Sequence, residues 1–208
     1  MAGSRPPSKI MIIRHAEKPP DPPNTKGPWD VQLKGKPGGG KSLIVHGWQR
    51  AGALNAFFAP YKSTPTSPGI VTPHHIYAAS PKGTETQRPW ETVTPLAAWL
   101  KYKQGSRFNV SYKIGDEKKL VKSVLKHSSP VLICWEHDHI MPDVMWDINE
   151  KYKITNYSSI PNPFPDVFYL VWVLDLSGNE YTWSSVNQNL LAGDVKPAKK
   201  KKAKAKSR

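Results

Sequence analysis

The sequence predicts an α/β domain, a three-layer sandwich with a largely parallel central sheet and helices on both faces. Three observations predict it. Short apolar runs bounded by breakers, such as Ile10–Ile13 and Pro130–Trp135, read as buried strands. Between such runs lie segments whose apolar residues recur at helical spacing. Strands and helices alternate along 208 residues, a length that supports one sizeable core.

The elements follow in chain order. Residues 1–7 are a polar, proline-bearing arm, and residues 8–14 form the first strand. That strand ends abruptly in Arg14-His15-Ala16-Glu17. Residues 18–42 are rich in proline and glycine and read as a long loop. Trp48, Ala51, Leu54 and Phe58 predict a helix at about 47–58, stopped by Pro60. After a loop over 61–73, His75–Ala79 is a short strand closed by Ser80-Pro81.

Thr84 to Lys101 reads as a helix with Trp90, Val93, Leu96 and Leu100 on one side, and Pro89 and Pro95 break its start or bend it. Asn109–Lys113 is a further strand. Asp116 to His127 is an amphipathic helix capped by Asp116, with Leu120, Val121, Val124 and Leu125 as its stripe. Pro130–Trp135 is a buried strand, Pro142–Tyr152 a helix, and Asp166–Leu176 the last strong strand. No internal repeat is visible.

Composition narrows the class. Hydrophobic residues make up 38% of the chain, as a globular body requires. Cys134 is the single cysteine, so there is no internal disulfide framework, and its apolar surroundings fit a packing thiol. The Ile10–Ile13 run is too short for a secretory core or a membrane span, which makes the cytoplasm the expected compartment. The net charge of +14 is unevenly spread. Residues 195–208 carry seven lysines and one arginine without an acid, so the expected organisation is a domain over 1–194 and a disordered tail. The tail is a solubilising segment, a nuclear address or a weak electrostatic contact for nucleic acid or another polyanion.

Ligand sites in such sheets lie past the carboxyl ends of strands. Arg14 and His15 fall there. A guanidinium can grip two phosphate oxygens, and a neutral imidazole beside it can attack phosphorus. Two further strands end near basic side chains: His75–Ala79 is followed by Arg88, and the strand ending at Trp135 by Glu136-His137-Asp138-His139. Arg14, Arg88, His15 and His137 together supply the two forks and two imidazoles of a phosphate pocket. A competing pattern, Gly35 to Lys41-Ser42, fits the phosphate-binding loop of nucleotide hydrolases, and the apolar run ending in Asp175 imitates the magnesium-holding aspartate. No strong strand precedes that loop, which disfavours it.

Taken in order, these segments resemble the histidine phosphatase superfamily, which includes the cofactor-dependent phosphoglycerate mutases and the histidine acid phosphatases. Arg14-His15-Ala16-Glu17 resembles the family's Arg-His-Gly-Glu signature, with Ala16 for the usual glycine. Gly47-Trp48-Gln49-Arg50-Ala51 is similar to the glycine-led start of its first helix. Ser80, then Arg88 and Thr92, resemble its Ser…Arg-x-x-x-Thr segment, with a longer stretch between Ser80 and Arg88. His137 resembles the second active-site histidine, and the likeness covers about residues 8–176.

The resemblance implies His15 as nucleophile and His137 as a second imidazole that stabilises the transferring group. It implies Arg14 and Arg88 as phosphate ligands. Asp138 is the first choice for the proton donor, because histidine acid phosphatases carry a His-Asp pair, and Glu91 and Glu17 are the alternatives. The implied activity is metal-independent hydrolysis of phosphomonoesters, small-molecule or peptide, through phosphohistidine, with no cofactor. A phosphoglycerate mutase-like transferase and a non-catalytic phosphate- or polyanion-binding protein are the alternatives. The chain leaves little room for a substrate-capping domain, which disfavours the transferase.

Overall fold

The computed structural model describes residues 5–20, 30–31, 40–62, 67–82 and 86–194. The lysine-rich tail, most of the glycine-rich loop over 35–42, and Thr84 lie outside the described residues. The chain is an α/β protein built on one six-stranded mixed sheet, in the order β3-β2-β4-β1-β5-β6. Its strands are β1 (Lys9–Arg14), β2 (His75–Ala78), β3 (Arg107–Asn109), β4 (Val131–Trp135), β5 (Leu170–Ser177) and β6 (Glu180–Asn187). The helices are α1 (Val45–Phe58), α2 (Arg88–Gln104), α3 (Glu117–Val124), a single turn α4 (His137–His139) and α5 (Trp146–Lys151).

Register decides where the strands end. β1 runs parallel to β4, pairing Ile10 with Val131 and Arg14 with Trp135. β2 runs parallel to β4 and pairs Ala78 with Cys134. The three strands therefore finish at one edge of the sheet. β5 is antiparallel to β1, with Ile12 opposite Trp172, so the residues just before β5 arrive at the same edge.

Alternation along β1 sends its side chains into two apolar clusters. Ile10 and Ile12 join Leu120, Val121 and Val124 of α3 and Ile148 of α5. Met11 and Ile13 join Leu54, Phe57 and Phe58 of α1 and Val93, Leu96 and Leu100 of α2. Cys134 is buried in the second cluster, and burial pushes its thiol well up, as a packing role requires. Trp135 is also core, its indole donating to Glu117.

Several boundaries depart from the sequence-based ones. α2 begins at Arg88 with Pro89 in its first turn, where the missing N–H costs nothing, and Pro95 stays inside the helix. The strand expected at Asn109–Lys113 lies at Arg107–Asn109, paired with β2. α3 is shorter than expected, and Asp116 makes no side-chain cap; its carboxylate pairs with Lys119 instead. The helix expected from Pro142 is a π-helical stretch, Ile140–Met145, that continues into α5. The last expected strand begins at Leu170, which frees Asp166 and Phe168 to face elsewhere. β6 escaped the sequence reading. Its alternating EYTWSSVN segment pairs with β5 across a two-residue turn containing Gly178, whose φ is positive. No described helix is long and apolar enough to cross a membrane.

Candidate functional site

The common strand edge brings Arg14, His15, His137 and Asp138 together, with Arg88 beside them at the start of α2. β1 delivers the first two. His15 follows the last strand residue, and its amide donates to the Trp135 carbonyl. Its side chain is fully buried. Nδ1 lies 2.7 Å from the Ala16 carbonyl, which can only accept, so Nδ1 carries the ring proton. Nε2 is left with its lone pair, and it is buried without a hydrogen-bond partner. Burial lowers the His15 pKa below the usual histidine value, against the opposing pull of Glu136, and Arg88 lowers it further. The ring is a neutral imidazole whose unprotonated nitrogen lies on the side away from the Ala16 carbonyl.

Thr92 explains why the loop holds this shape. Its hydroxyl accepts the Ala16 N–H at 2.8 Å and donates to the Arg88 carbonyl at 2.7 Å. One side chain thus ties the loop after β1 to the first turn of α2. Gly47 supplies the second tie. A Cβ there would lie 2.4 Å from the Glu17 carbonyl oxygen, so only glycine lets α1 approach the loop so closely.

Arg14 is buried to within 1%. Its Nη1 donates to Asp166 at 2.7 Å, and its guanidinium lies 4.4 Å over the Phe168 ring. Nε and Nη2 are buried and make no hydrogen bond. Those two groups form one edge of the guanidinium, the fork that suits two oxygens of one phosphate. Arg88 is half-buried, its Nε donates to Thr86, and its charge reaches both His15 and Glu136.

His137 opens α4, its ring 6.3 Å from that of His15 and set edge-on. Asp138 lies beside it, Oδ1 3.2 Å from His137 Nε2, and 72% of its side chain is exposed. A cleft of about 590 Å³ opens over Arg14, His137, Asp138, Asp166 and Phe168, with Lys18 and Pro19 on its rim.

The two alternative proton donors are held elsewhere. Glu91 is fully buried and accepts from the Ser42 hydroxyl and the Leu43 amide, pinning that loop. Glu17 accepts both Nε and Nη2 of Arg50, which also binds Asp194 and Gln188. Ser80 is buried, and its hydroxyl accepts the Lys82 amide. Asp175, the aspartate of the nucleotide-hydrolase pattern, pairs with Lys9 at the opposite end of β1.

Two site residues escaped the sequence reading. Asp166 falls within the strand expected over Asp166–Leu176, yet it caps the Arg14 guanidinium, whose hydrogen bond holds the Asp166 carboxyl below its usual range. Glu136 was passed over in favour of the residues after it. Its Oε1 accepts His137 Nδ1 at 3.0 Å and lies 3.5 Å from His15 Nε2, while Oε2 is buried without a partner. Burial opposes its ionisation, but His15, Arg88 and His137 together outweigh it and bring its pKa down to about 2. The signal available in the sequence was its place as the first residue past β4. His15, Glu136 and His137 also form a group whose ligand atoms could hold a metal ion, although no spacing along the chain suggested one. No protein-family model matches the chain, and no curated protein matches it.

Proposed function

We propose that this protein is a metal-independent phosphomonoesterase of the histidine phosphatase type. The observation that carries the proposal is the pairing of a buried, neutral His15 whose Nε2 lone pair is unengaged with a buried Arg14 whose Nε–Nη2 edge is unengaged. Each buried, unmade hydrogen bond costs about 1–3 kcal/mol, and a phosphate group would satisfy both residues at once. The three-layer arrangement belongs to the same reading. It is supported by the division of β1 side chains between a cluster with α1 and α2 and one with α3 and α5.

In the first step His15 Nε2 attacks phosphorus in line with the leaving oxygen. A P–N bond forms as the P–O bond breaks. Arg14 and Arg88 hold the non-bridging oxygens, where charge gathers in the transition state. His137 supports the same oxygens, and Asp138 passes a proton to the departing alkoxide. In the second step water attacks the phosphohistidine, its proton returns to Asp138, and inorganic phosphate leaves with His15 restored.

The test is hydrolysis of an aryl phosphate by the metal-free protein, with a chemical trap for the intermediate. Wild-type protein should release phosphate and retain an acid-labile, base-stable phosphoryl group. His15→Ala should abolish both. Turnover that survives His15→Ala, or phosphate trapped on serine or aspartate, would refute the mechanism. Tight phosphate binding without turnover would favour a binding protein.

A further inference from the structure

We propose that His15, Glu136 and His137 form a site for a zinc-like divalent ion, and that an ion seated there shuts off phosphoryl transfer. Binding rests on the ligands alone, whereas inhibition rests on the phosphohistidine reading.

The first argument is a conflict between lone pairs. The proton of His15 is on Nδ1, committed to the Ala16 carbonyl. Its Nε2 therefore faces the Glu136 carboxylate at 3.5 Å, where only an added proton or a metal ion could bridge the two. Two electron-rich groups at that distance in a buried place call for a positive charge. Nε2 and the second Glu136 oxygen, Oε2, are both buried without hydrogen-bond partners, while Oε1 is shared with His137 Nδ1.

The second argument is the donor set. Two imidazoles and one carboxylate suit zinc, which keeps one position open in catalytic-type sites. Ligands around a tetrahedral zinc stand roughly 3.4 Å from one another, given bonds of about 2.0–2.1 Å. Here the carboxylate oxygen lies 3.5 Å from one imidazole nitrogen and 3.0 Å from the other, and all three atoms fall within 4.8 Å.

The third argument is the surroundings. Ligating histidines usually give their other ring N–H to a carbonyl or carboxylate, which fixes the tautomer. His15 gives its Nδ1–H to Ala16, and His137 Nε2 sits 3.2 Å from Asp138 Oδ1, ready to take the proton displaced from Nδ1. The nearby guanidiniums do not forbid a cation. Arg14 is paired with Asp166, and the charge of Arg88 is met by Glu136. An ion in place would hold the Nε2 lone pair that must attack phosphorus.

The experiment titrates the metal-free full-length protein with Zn²⁺ calorimetrically, in a buffer free of phosphate and chelator. One-to-one binding is expected, weakening as the pH falls and the imidazoles protonate. Glu136→Gln and His137→Ala should each weaken binding at least tenfold, with folding checked by circular dichroism. Asp143→Asn should leave it unchanged. It alters the other ligand cluster, Glu117–His139–Asp143, which is the rival location. The same zinc concentrations should inhibit aryl phosphate hydrolysis, and a chelator should restore it. Absent zinc binding, binding untouched by both site variants, or binding lost in Asp143→Asn would overturn the site. Stimulation by zinc would overturn the shut-off. A protein that binds zinc as described but never turns over phosphate keeps the site and loses the phosphatase reading. One that turns over phosphate but ignores zinc does the reverse.

Discussion

Arg14 keeps the Nε–Nη2 edge of its guanidinium buried and unbonded and gives Nη1 to Asp166. Phe168 covers its face, so the orientation of the group is fixed. Asp138 differs. It is largely exposed where it lines the cleft. Asp138→Asn should slow alkyl phosphates by roughly 10²–10⁴-fold, the usual range for general acid catalysis, and nitrophenyl phosphate far less. The check is the ratio of variant to wild-type turnover for the two leaving groups, and equal losses would assign Asp138 to positioning. Arg14, His15, Arg88, His137 and Asp138 were all legible in the sequence because each follows a recognisable strand or opens a helix. Glu136 and Asp166 were not. Asp166 matters through Arg14 and Glu136 through His15, partners distant in sequence that no local pattern encodes.

The elements meet the loop after β1 at two narrow points. Thr92 of α2 bonds it, and Gly47 of α1 lets it pass. Gly47→Ala should displace the Glu17 carbonyl and with it the Ala16–His15 turn. Overpacking of this kind costs about 1–3 kcal/mol, so a lowered melting temperature and at least a tenfold loss of turnover are expected. A variant with normal melting and normal activity would show that the loop can yield. The central strands and the helix preceding Pro60 were legible from apolar period and breakers. The edge was less so. β3 is three residues long and β6 half-exposed, and short or half-polar strands take their pairing from neighbours more than from their own residues.

At the scale of the whole molecule, histidines set the response to acid. His75 stacks on His127 with ring centres 3.6 Å apart, and burial, with the charges of His127 and Arg107, lowers its pKa to about 4. His15 is lowered as well. Such groups stay neutral in the folded state while their unfolded counterparts protonate near 6.5, so the unfolded state binds more protons below that value. Stability should therefore be complete above 6.5 and decline as the pH falls toward about 4. Melting temperature against pH measures this, and His75→Phe, which keeps a ring in the stack, should reduce the acid-induced loss. An identical profile in the variant would move the cause to other groups.

Arg50 joins Glu17, in the loop that follows β1, to Asp194 at the far end of the described chain. β1 itself is seated between β4 and β5, both of which come late in the sequence. During synthesis β1 is therefore made before either of the strands it pairs with. Until β4 and β5 follow, Met11, Ile12 and Ile13 lack the strands that flank them. That interval leaves an apolar strand open to whatever shields nascent chains in the cell.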